Sequence, residues 1–175
     1  MIHTREFCWR DYDDVAALWA AAGRDVLPRD ELTAKLTRDP QLFLVAELDG
    51  AVAGVVLGTY DGRRGWILRL AVEPAHRRQG IATTLIGELE ARFTALGCPR
   101  VNLLVMPDNT AALRFWQTLG YLPMPDVLCS KPMGDTSRQP HELRTANGVR
   151  PSGRTPFPQA PPTAIRRPRT GFPEW

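Results

Sequence analysis

The sequence predicts an α/β (α+β) fold. Three observations lead there. Apolar residues recur at strand and helix periods in the order β-α-α-β-β-β-α-β-α-β. The three consecutive strands in the middle are joined by Asp-Gly turns, a strong hairpin signal. The chain has 175 residues, 43% of them hydrophobic, which is enough for one compact core.

Taken in order, "IHTREF" (2–7) reads as a strand. "DYDDVAALWAAAG" (11–23) opens on an Asp cap, carries Val15, Leu18, Trp19 and Ala22 on one face and stops at Gly23, so it reads as a helix. "DELTAKLTR" is a short second helix, and "LFLVAELDGAVAGVVLGTYDGRRGWILRLAV" gives the three strands. Ile81, Leu85, Leu89, Phe93 and Leu96 fall at helical spacing, and "LGCP" ends that helix. "RVNLLV" is a strand, "NTAALRFWQTLG" a helix with Ala112, Phe115, Trp116 and Leu119 on one face, and "DVLCSKPM" a final strand.

The composition changes near Gly134. Residues 1–134 are expected to form the domain, and 135–175 a Pro/Arg-rich disordered tail holding half of the 16 prolines. The net charge of +3 belongs to that tail, which carries 7 basic against 3 acidic side chains, while residues 1–134 carry 15 against 16. A nucleic-acid partner is therefore not expected, although the tail read as a basic arm toward nucleic acid or acidic headgroups is the sharper alternative. Cys8, Cys98 and Cys129 are an odd set without metal-ligand spacing, so neither a disulfide framework nor a metal site is expected. With no signal-peptide pattern and no spanning apolar run, the expected location is the cytoplasm, away from membrane.

The segment "PAHRRQGIATTL" (74–85) sets two arginines and a glycine at the start of a helix. A helix start exposes unpaired N–H groups and the positive end of its dipole. Gly80 admits close backbone approach, Ala82 keeps the surface small, and Arg77 and Arg78 add charge, so the loop suits a phosphate or pyrophosphate. Neither GxxxxGK[ST] nor GxGxxG is present. On its own the segment reads equally as a solvated turn.

The run Arg77-Arg78-Gln79-Gly80-Ile81-Ala82 matches [QR]-x-x-G-x-[GA], and it stands between "LAVEPAHR" and "DNTAALRFWQTLGY". This combination resembles the GNAT (GCN5-related) superfamily of acetyl-CoA-dependent N-acetyltransferases, as a small bacterial-type single-domain member, over residues 2–132. The resemblance implies a mixed, mostly antiparallel central sheet, splayed between its fourth and fifth strands, with helices on both faces. It implies that acetyl-CoA is the co-substrate, with its pyrophosphate on the amides of residues 78–83 (Arg78, Gln79, Gly80, Ile81, Ala82, Thr83) beside Arg77. Its pantetheine arm would pair with the edge of Leu70, Ala71 and Val72 as an added strand, with Asn109 nearby. The implied activity is acetyl transfer by direct attack to a primary amine, of a small molecule or a peptide N-terminus; homodimers are common in the family.

Direct attack needs a neutral amine, a donor for the carbonyl oxygen and a route out for the thiolate. The Leu70 backbone N–H is the candidate donor. Trp116 occupies the family's Tyr position, where a phenol protonates the departing sulfur; an indole donates a hydrogen bond but is no acid, and core packing is the competing reading. Leu104 stands where some members have a glutamate base. A thiol of pKa about 8.5 leaves without much help near neutral pH, so a missing Tyr slows the reaction rather than abolishing it. Being neutral at pH 7 costs a lysine about 4 to 5 kcal/mol and an α-amine about 1, so acceptors of lower pKa are expected.

Glu73, at the end of the fourth strand, is the candidate base, against a solvated turn. His76 sits where the pyrophosphate is expected, Tyr60 and Asp61 lie in a turn that explains itself, and Asp25 and Asp30 either bind a cationic acceptor or cap the second helix. Cys98 follows a helix end, where the dipole disfavours a thiolate, so ping-pong transfer through it is not expected. The competing class is an acyl-CoA-binding module with little or no turnover.

Overall fold

The computed structural model describes residues 1–125. Strand β1 (Ile2–Glu6) leads through one 3₁₀ turn to α1 (Tyr12–Ala21) and α2 (Arg29–Arg38). Strands β2 (Phe43–Leu48), β3 (Ala51–Tyr60) and β4 (Gly65–Val72) form a meander, followed by α3 (Ile81–Ala95), β5 (Val101–Leu103) and α4 (Thr110–Thr118). The element order expected from the sequence holds throughout this range. The expected strand in "DVLCSKPM" and the boundary at residue 134 lie outside the described residues.

The sheet runs β1-β2-β3-β4-β5, antiparallel except for the parallel β4–β5 pair. Asp49 and Gly50 join β2 to β3 with positive φ at both, 53° and 85°, the two-residue hairpin turn whose twist matches its strands. In the next turn the Asp61 carboxylate accepts the N–H groups of Arg63 and Arg64, a structural duty for that side chain.

The two faces bury separate cores. Leu44, Val56 and Ile67 meet Ile81, Leu85, Leu89 and Phe93 of α3 and Trp116 of α4. On the other face Phe43, Val45, Val55 and Leu57 meet Val15, Leu18 and Trp19 of α1 and Leu32 of α2. Helix α3 lies close on the sheet because β3 has glycines beneath it: a Cβ at Gly54 would stand 2.7 Å from Ile81, and one at Gly58 2.8 Å from Leu89.

The sheet opens between β4 and β5. They pair only from Gly65–Val101 to Ile67–Leu103, and β4 continues to Val72 with no β5 partner. The pattern "RVNLLV" accordingly forms a strand only at Val101–Leu103, since strand geometry needs a ladder to hold it. The result is the splay that the resemblance implied.

Candidate active site

Strand β4 ends at the mouth of this opening. The Glu73 N–H still donates to Ala53 O, and Pro74–His76 make one 3₁₀ turn. Arg77 is extended, Arg78 has φ 62°, and Gly80 has φ 88° and ψ −5° as the residue before α3. A left-handed backbone is strained for any residue with a Cβ, so Gly80 is required by conformation. The space over it is open: an added Cβ would meet nothing within 4 Å.

This backbone leaves a row of donors. The Arg77 N–H donates to Pro74 O and the Thr84 N–H to Gly80 O, while the six amides between them, residues 78–83, have no acceptor among the described residues. No side chain caps α3, whereas Asn109 caps α4 through its Oδ1, 3.0 Å from the Ala112 amide. Arg77 and Arg78 are exposed and form no ion pair among the described residues; the Arg77 Nε donates to Val72 O at 3.3 Å. Exposed amides, a helix dipole and two guanidinium groups gather positive charge at this turn.

Strand β4 carries a bulge that sequence reasoning missed. Leu57 stands opposite Leu68 and Val55 opposite Ala71, so Arg69 and Leu70 together face Val56 alone. Arg69 has φ 53°, rare for a residue with a long side chain. The extra residue resets the alternation: Ile67, Leu70 and Val72 pack toward α3, while Leu68 and Ala71 pack toward α1. Strict alternation along "ILRLAV" puts Arg69 on the face of Ile67, against the α3 core, and that conflict was the available signal.

Arg69 instead reaches the α1 face. Its guanidinium lies 5.4 Å from the Trp19 ring centre and donates from Nη1 to Asp25 O at 2.5 Å. The Trp19 indole N–H donates to the Arg69 carbonyl at 3.1 Å. Burial pulls the Arg69 pKa below the usual guanidinium value; Glu31 and Asp25 act against that shift and Arg24 adds to it. Across the same loop Tyr12 OH donates to Leu27 O at 3.0 Å. The α1–α2 segment is thus fastened at Asp25 and Leu27. Asp25 and Asp30 are exposed, and Pro28 rather than Asp30 occupies the position before α2.

On the opposite face Trp116 is 8% exposed, with Phe115 and Tyr121 edge-on at 5.1 and 5.3 Å. Its ring fills core, and its indole N–H has no acceptor among the described residues. Tyr121, the phenol nearest to it, donates to Glu90 Oε1 at 2.6 Å; burial first, then Glu90, pushes its pKa well above the ordinary phenol value. It therefore holds its proton rather than giving it up. Leu70, Ala71 and Val72 end β4, Glu73 follows half-buried, and His76 is half-buried in the 3₁₀ turn. Leu104 is exposed just past β5. Cys98 directs its Sγ to Arg100 O at 3.2 Å, and Cys129 lies outside the described residues. Among the described residues no group of His, Cys, Asp and Glu could hold a metal, and no helix is long and apolar enough to cross a membrane.

The fold is that of an α/β protein whose sheet opens beside an uncapped, glycine-led helix. Comparison with known proteins makes this specific. The model of the acetyltransferase (GNAT) family matches residues 5–121. An acetyltransferase of Sodalis glossinidius is 41% identical over 129 residues, spanning 71% of this chain and 89% of that one. The solved structure of Ard1 from Thermoplasma volcanium matches at a TM-score of 0.65 with 24% identity, over 69% of this chain and 82% of that one. The NatC complex bound to Gag peptide and CoA matches at 0.63 with 22% identity, over 70% and 86%. The chain belongs to the acetyltransferase (GNAT) family.

Proposed function

We propose that the protein transfers the acetyl group of acetyl-CoA to a primary amine, of a small molecule or a protein N-terminus, by direct attack. The observation that carries this reading is the row of six amides, 78–83, without acceptors at the open end of the sheet. These amides, with Arg77 and Arg78, suit a pyrophosphate. The edge of Leu70, Ala71 and Val72, beyond the last β5 pair, suits a pantetheine arm laid along it as a strand. Asn109 uses Oδ1 as a cap and keeps its Nδ2 donors for that arm. Family membership supports acetyl transfer, and a protein of the same fold has been solved with CoA and a peptide.

The protein's own part is then to orient and to polarise. The Leu70 N–H, in the bulge, is the candidate donor to the carbonyl oxygen as the amine attacks. Glu73 is the candidate acceptor of the amine proton, directly or through water. The thiolate departs without an acid from α4, since Trp116 has none to give. The reaction is expected to work in cytoplasm.

The burial of Trp116 favours a second reading, an acyl-CoA-binding module with little turnover. Calorimetric titration of acetyl-CoA into the wild type and Gly80→Asp, followed by thiol release with a panel of amines, decides between them. Binding lost in the variant, with thiol release in the wild type, is expected. Binding without thiol release would establish the module, and no binding by the wild type would remove both readings.

A further inference from the structure

Arg69 is half-buried and forms no ion pair among the described residues. Where the fold desolvates Arg5, Lys35 and Arg92 it supplies a carboxylate oxygen at 2.6 Å (Asp11), 3.0 Å (Asp39) and 2.7 Å (Glu6). Arg69 has no carboxylate within 4.0 Å among the described residues; its one hydrogen bond there goes to a neutral carbonyl, that of Asp25. A guanidinium has five N–H donors in a fixed fork, so most of its capacity is unused. Its guanidinium lies over the Trp19 ring, and the bulge fixes its root. Burial lowers the pKa of this cation, with Glu31 and Asp25 acting against that shift.

Its place gives it a use. Arg69 precedes Leu70 on the unpaired stretch of β4 and turns to the α1 face, where the held α1–α2 segment faces it. Arg69 and Leu70 share the bulge opposite Val56, so the fork and the Leu70 amide spring from adjacent residues. Asp25, Glu31 and Arg24 are near enough to act on its charge, so its surroundings carry both signs.

We infer that Arg69 is the specificity-determining residue for the acceptor, taking the carboxylate of a small α-amino acid in its guanidinium fork while the α-amine is presented at Leu70. This rests on the acetyl-transfer reading above and names the acceptor class within it. A bidentate carboxylate completes the fork, which an amide or alcohol cannot do. Truncating a charge-assisted pair of this kind lowers kcat/KM by about ten- to a hundredfold.

The test measures thiol release from acetyl-CoA with alanine, serine and phenylalanine and with their carboxamides, for the wild type, Arg69→Gln and Arg69→Lys. The carboxamide amines are the less basic, so amine chemistry alone favours them. The wild type is expected to favour the acids regardless. Arg69→Gln should lose about ten- to a hundredfold in kcat/KM on the acids and far less on the carboxamides, with Arg69→Lys between. An equal loss on both sets would mean that Arg69 only holds the α1–α2 segment, and the inference falls. Wild-type preference for the carboxamides overturns it whatever the variants do, including variants that do not fold. Thiol release from carboxamides without preference for acids removes only this inference, whereas no release from any acceptor removes the transfer reading itself.

Discussion

The Trp19 indole N–H donates to the Arg69 carbonyl at 3.1 Å, so a fully buried ring of α1 holds the bulge in β4. The same ring lies under the Arg69 guanidinium. One side chain therefore supports both the backbone that presents the Leu70 amide and the cation beside it. Trp19→Phe keeps much of the apolar volume and leaves that carbonyl without its donor. We expect a loss of about 2 kcal/mol in urea unfolding, from the unmet carbonyl and the vacated volume together. We also expect kcat for acetyl transfer to fall further than acetyl-CoA affinity does. An unchanged kcat would separate the bulge from the chemistry.

Gly80 has φ 88° with open space where a Cβ would stand. Gly80→Ala therefore costs only backbone strain, about 1 kcal/mol. Gly80→Asp adds a negative charge among the amides of 78–83, and acetyl-CoA binding should be lost. Urea unfolding and calorimetry separate the two effects. Equal acetyl-CoA affinity in wild type and Gly80→Asp would remove the anion site.

The buried Asp11 carboxylate predicts acid sensitivity. Burial alone raises its pKa, but hydrogen bonds from Arg5 and Cys8 and the charge of Arg5 outweigh this and bring it from 3.8 to about 2. A folded pKa below the unfolded one means stability that is full above pH 3.8 and is lost as pH falls toward 2. The amount is about 2 kcal/mol. Urea midpoints between those limits should fall in the wild type and flatten in Asp11→Asn, itself less stable at neutral pH. Equal slopes in the two proteins would place the titration elsewhere.

Trp116→Phe should cost about 1 to 3 kcal/mol of stability, because the indole fills core between Phe115 and Tyr121. Its effect on kcat should stay within about tenfold, since a thiolate departs without an acid near neutral pH. A drop of several hundredfold at unchanged acetyl-CoA affinity would make the indole N–H a participant in catalysis.

The acceptor preference follows from amine basicity. Without a strong base at the site, α-amines should exceed matched ε-lysine peptides in kcat/KM at pH 7, the neutral forms differing in cost by about 3 to 4 kcal/mol. Thiol release with paired peptides measures this. Preference for the lysine peptide would mean that the site deprotonates its acceptor more strongly than Glu73 is expected to.

Element order was legible because periodicity, capping and turn chemistry are local. Gly23, the Asp49–Gly50 turn and the apolar stripe of α3 each act within a few residues, and each is where the sequence puts it. The loop at 77–82 was legible as a motif for the same reason, its glycine being required by its own φ. The bulge at Arg69 was not, because register belongs to a pair of strands and no single strand carries it. Nor was the Trp19–Arg69 bond, which joins residues 50 apart. The sequence alone therefore determined the elements, their order and the turn at 77–82. Tertiary packing decided which face Arg69 takes, what holds the Leu70 amide and how Trp116 is used, since each depends on a partner distant in the chain.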